Sequence, residues 1–183
     1  MTSMENAEKE RRLGIKCVSV KNCFDMDPAW RGVYLGESSW DDPLRTWLEN
    51  FCRVPLLDCV PDCIHKQFEV VRGAYTYSIF YYPLLTLGAE QISRVMETAI
   101  ALRYKGCAGP EGNRSFKGRT DWLRKQGYIS EELSEEIEIT RKQRNMASHP
   151  TQQWIISPGP AISILETHVK ILNELFSSTD EAG

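Results

Sequence analysis

The chain has 183 residues, 42% hydrophobic and 26% charged, with a formal net charge of -3 and a sequence pI near 5.7. That composition is globular and argues against wholesale disorder. It excludes a chain that coats nucleic acid through bulk positive charge; only a local basic patch can hold a phosphate backbone.

The longest apolar run, Ile79 to Leu87, is broken by Pro83 and falls short of the roughly 18 residues that span a bilayer. The opening MTSMENAEKERR carries three glutamates before any hydrophobic run, unlike a secretory signal. A cytoplasmic protein with no membrane partner is expected. Its six cysteines are then expected as free thiols.

In chain order, Lys16 to Asn22 reads as a short strand, because Cys17-Val18-Ser19-Val20 is β-rich. Prolines and glycines then alternate with Trp30, Trp40 and Trp47, so the first 60 residues read as a partly irregular extension. Asp42-Pro43 resembles a cap followed by a first-turn proline. It opens a short helix to about Cys52. Three tryptophans in this region predict an element packed on the rest of the chain or on a second subunit.

From Pro61 onward, helical periodicity dominates. One helix runs from Pro61 to about Phe80, and Pro83 interrupts it. The next reaches about Lys105, with Gly88, Ile92, Val95, Ala99 and Leu102 on one face. Ser115 caps a helix from Phe116 to Gln126 that Gly127 stops. Ser130 caps another, with Glu131 and Glu132 at its positive dipole end. This helix ends near Ser148, because Pro150 disfavours helical geometry at His149. A final helix begins near Pro160, striped by Ile162, Leu165, Val169, Leu172 and Phe176. The expected fold is all-α, an antiparallel bundle of four to five helices. Residues 1–60 would be its extension, 61–178 the bundle and 179–183 a frayed tail.

The stretch richest in chemistry is Arg141-Lys142-Gln143-Arg144-Asn145-Met146-Ala147-Ser148-His149-Pro150. Asn145 and His149 are four apart and share a helix face, with Arg144 beside them. A helix C-terminus favours a protonated imidazole. Arg144 and Asn145 together suit a phosphate while His149 moves a proton. The competing reading is structural: His149 caps the helix or meets a glutamate, and Arg144 pairs with Glu138 or Glu136.

The string Arg144-Asn145-x3-His149 resembles the signature of the HEPN superfamily of helical domains. There it lies at the end of a late helix and before one more. The resemblance covers roughly Cys63 to Ser178. It implies a metal-independent endoribonuclease working as a homodimer, without a cofactor, in a stress or defence response. By that analogy His149 is general acid or base, Arg144 stabilises the scissile phosphate, and Asn145 orients either. The resemblance equally admits members that bind nucleotides or proteins without catalysis. Thr151 stands where toxin-type members carry a tyrosine.

RNA is the expected partner, with no DNA predicted. Between Glu111 and Lys125 the cations Arg114, Lys117, Arg119, Arg124 and Lys125 outnumber Glu111 and Asp121. Phe116, Trp122 and Tyr128 lie among or beside them. Arg119, Arg124, Lys125, Arg141 and Lys142 are therefore the expected RNA contacts. The alternative is that Trp122 and Phe116 are core residues and the cations a solvated face. Glu90, Arg94 and Glu97 share one face of an earlier helix and are either support for the motif or surface ion pairs. Cys59, Cys63 and His65 lack a second ligand pair, so no metal is expected. His168 sits beside the apolar stripe of the last helix and reads as structural or solvent-facing.

Overall fold

The computed structural model describes residues 3–31, 33, 45, 47–49, 53–112, 115–147 and 155–177, with backbone alone at 3–7 and 143–147. The fold is all-α. The described helices are α1 (Ser3–Leu13), α2 (Asp62–Tyr77), α3 (Leu84–Gly106), α4 (Phe116–Lys125), α5 (Glu131–Ala147) and α6 (Pro158–Ser177), with a 3₁₀ turn at Pro28–Trp30. No strand occurs among the described residues.

Local chemistry sets the boundaries. Ser115 Oγ accepts from the Gly118 amide at 3.2 Å to open α4, and Ser130 Oγ accepts from the Leu133 amide at 3.0 Å to open α5. Gly127, at φ +77°, turns the chain between these helices in the left-handed region that a Cβ disfavours. Between α2 and α3 the buried Asp27 carboxylate accepts from the Tyr82 amide at 2.8 Å. It thereby satisfies a donor that the break at Pro83 leaves outside the helices.

Helix α3 is central and packs against α2, α4, α5 and α6. Its inward face carries Ile92, Val95, Ala99 and Ile100, all at 0% exposure. Gly88 lets α2 approach closely: a Cβ there would lie 2.9 Å from Tyr75 Cε1. Tyr75 in turn donates its hydroxyl proton to the Ala161 carbonyl of α6 at 3.3 Å. Its phenol is pushed well above the usual tyrosine range by burial.

The N-terminal region joins this core. Trp30 and Trp47 are each 1% exposed, with ring centroids 4.9 Å apart. Their indole N–H groups donate to the Ser78 carbonyl at 2.7 Å and the Tyr75 carbonyl at 2.6 Å. The buried Lys16 ammonium donates to the Asp25 and Phe80 carbonyls at 2.6 and 2.9 Å. This segment thus closes over the C-terminal end of α2.

The expected strand at Lys16–Asn22 does not form. Asn22 instead accepts from the Ser19 amide at 2.7 Å and donates to the Cys17 carbonyl at 3.0 Å. The side chain folds the backbone into a turn and competes with a ladder. Val18 and Val20 are left exposed. Of the expected Pro43–Cys52 helix, residues 45 and 47–49 are helical; the rest, with the tail beyond 177, lies outside the described residues. No described helix is long and apolar enough to cross a membrane.

Candidate functional site

Helix α5 carries Arg144 and Asn145, the first two residues of the Arg-Asn-x3-His string. Leu133, Ile137 and Thr140 are buried on its inner stripe, at helical spacings of four and three. Position 144 continues that stripe by the same period. The helical backbone runs through Arg144 and Asn145 to Ala147. The side chains of both residues, and His149 altogether, lie outside the described residues.

Arg141, one turn before Asn145, is held by Glu138. Its Nε and Nη2 donate to the two carboxylate oxygens, each at 2.7 Å, a bidentate geometry. That hydrogen bond is the main reason Glu138 lies below, and Arg141 above, its usual pKa. An arginine held this way meets phosphate only after releasing its carboxylate.

The other expected RNA contacts differ in state. Arg124 is paired with Glu131, while Lys125 and Lys142 are exposed and Arg119 is half-buried. Lys117 and Lys142 line an open groove of about 320 Å³ between α4 and α5, shared with Asp121, Glu135 and Glu138. Acids therefore interrupt the positive stretch at its centre. The acidic block of α5 is itself partly neutralised, since Glu136 pairs with Lys170 of α6.

Trp122 meets Tyr104 edge-on at 4.9 Å and stacks on Tyr128 at 5.8 Å and 26°. Trp122 and Phe116 are partly buried and pack against the core. Tyr128, 38% exposed, is the ring open to solvent.

Of Glu90, Arg94 and Glu97 on α3, the first two are exposed, whereas Glu97 lines a cavity of about 20 Å³. Ser93, Met96, Phe116, Thr140, Arg141 and His168 complete its wall. His168 is only 3% exposed, and its Nδ1 lies 2.7 Å from the Ile164 carbonyl. Burial lowers its pKa, against a smaller opposing effect of that carbonyl. The sequence held the signal for this burial: His168 follows Leu165 by three and precedes Leu172 by four. It lies on the apolar stripe, and the solvent-facing alternative is wrong.

Cys59 and Cys63 are exposed free thiols. Cys59 Sγ lies 3.7 Å from Ser177 Oγ, and His65 Nε2 lies 3.2 Å from the Leu57 carbonyl. No group of three metal-ligating side chains is assembled among the described residues. The chain matches no family model, no curated protein and no solved structure.

Proposed function

We propose that this chain is a HEPN-like, metal-independent endoribonuclease whose Arg144, Asn145 and His149 act at a cleft shared by two copies. The observation that carries the reading is the order of elements around the string. A serine-capped helix leads into it, α5 is still helical at Arg144 and Asn145, and one final helix, α6, follows.

In the proposed reaction the ribose 2′-oxygen attacks the adjacent phosphorus while the bond from phosphorus to the 5′-oxygen breaks. His149 takes the 2′-hydroxyl proton, or supplies one to the leaving 5′-oxygen. Arg144 meets the charge that develops on the phosphoryl oxygens. Asn145 orients the phosphate or the imidazole. The products are a 2′,3′-cyclic phosphate and a 5′-hydroxyl, and no metal enters.

A specific observation favours a second reading, a non-catalytic HEPN-like domain that binds nucleotides or protein. Arg141 and Arg124 already have carboxylate partners, and the α4–α5 groove mixes acids with its lysines. A single-stranded RNA labelled at its 5′ end and incubated with the protein in EDTA separates the two. Shortened RNA supports the nuclease, and retarded but intact RNA supports the binding domain. Unretarded, intact RNA across sequences argues against both RNA roles.

A further inference from the structure

A buried polar group lies at the junction of α3, α5 and α6. His168 is enclosed there, and its Nδ1 faces the Ile164 carbonyl at 2.7 Å. A carbonyl has no proton to give, so Nδ1 carries the hydrogen and Nε2 holds a lone pair. Among the described residues no donor lies within hydrogen-bonding distance of that buried Nε2.

The cavity that His168 lines holds about 20 Å³. One water needs roughly 10–15 Å³ measured in this way, together with two to four polar partners. The walls are short of donors. The Ser93 hydroxyl donates to the Ala89 carbonyl at 3.3 Å, and the Thr140 hydroxyl donates to the Ile137 carbonyl at 2.8 Å. Arg141 directs Nε and Nη2 to Glu138. What remains among the described groups are lone pairs: His168 Nε2 and the two hydroxyl oxygens. Water supplies two protons to such a set.

We infer that this cavity is a built site for one internal water, which donates to His168 Nε2 and to a wall oxygen and so ties α6 to α3 and α5. The tie reaches α5 at Thr140 and Arg141, immediately before position 144. The inference stands on the core geometry and is independent of any nuclease activity.

The test is water–protein NOE spectroscopy on the isotope-labelled full chain, with the ¹⁵N shift of His168. The expected result is long-lived water cross-peaks at the Met96 and Thr140 methyls and an Nε2 shift displaced from that of a free lone pair. In Thr140→Val, which removes a hydroxyl proton able to relay exchange, the Met96 cross-peak persists. In His168→Leu it is lost. Absence of both wild-type cross-peaks overturns the inference whichever shift Nε2 shows. A displaced Nε2 shift without them assigns the donor to Arg141 instead. Should His168→Leu fail to fold, the wild-type and Thr140→Val spectra decide alone.

Discussion

Replacing Trp30 by alanine tests whether the N-terminal region belongs to the same core as the helices. The side chain is 1% exposed, its ring meets Trp47 at 4.9 Å and Tyr82 at 5.3 Å, and its N–H donates to the Ser78 carbonyl at 2.7 Å. A buried tryptophan removes about 150–250 Å² from water. At about 25 cal/mol per Å² that is about 4–6 kcal/mol, in line with the about 3–5 kcal/mol seen for Trp→Ala in cores. Trp30→Phe keeps most of the area and strands only the Ser78 carbonyl, at about 1–3 kcal/mol. In a chain of this size each kcal/mol moves Tm by about 2–4 °C, so the alanine variant should melt about 8–24 °C lower. Urea melts followed by far-ultraviolet circular dichroism give both values. A loss below about 1 kcal/mol for Trp30→Ala, within the range of ordinary surface substitutions, would refute a shared core.

Three further outcomes follow from the packing. Because burial depresses the folded pKa of His168, the unfolded chain takes up that proton first, near the ordinary imidazole value of about 6.5. Its contribution to stability is complete above that pH and is lost as pH falls below it. Glu97 and Arg141 line the same cavity, and urea midpoints from pH 8 to 5 should fall less steeply in His168→Leu. Ser130→Ala removes the acceptor of the Leu133 amide and should cost about 1 kcal/mol, while Ser130→Asp, measured in the same melts, should match wild type. Gly88→Ala places a methyl 2.9 Å from the Tyr75 ring and should cost about 1–3 kcal/mol; a melt unchanged from wild type would contradict the close approach of α2 and α3.

The helical part of the fold was legible because its punctuation is local. Ser115, Gly127 and Ser130 act on neighbours within three or four residues, and Pro83 breaks the helix whatever surrounds it. The misreading at Cys17–Val20 has a cause of the opposite kind. β-rich composition suggests a strand, but a strand needs a partner, and Asn22 offers the backbone a nearer one. The candidate site was legible only as a string. The competing structural reading paired Arg144 with Glu138 or Glu136, whereas Glu138 holds Arg141 one turn away. The pairing of Arg124 with Glu131 depends on the turn at Gly127, which brings α4 and α5 side by side. His168 was placed beside the apolar stripe with a structural and a solvent-facing reading both open, and its burial decides for the structural one. Only the convergence of α3, α5 and α6 reveals the cavity it lines.

The most direct measurement compares wild type, Arg144→Ala, His149→Ala and Arg141→Ala on one unstructured RNA in EDTA, with each protein shown to be folded by circular dichroism. The account predicts cleavage by wild type that leaves 2′,3′-cyclic phosphate ends, falls by at least about 100-fold when the general acid or base His149 is removed, and is lost with Arg144. Arg141→Ala should retain activity, because Glu138 already holds that guanidinium. Cleavage that needs a divalent metal, or that persists in both Arg144→Ala and His149→Ala, would contradict the account.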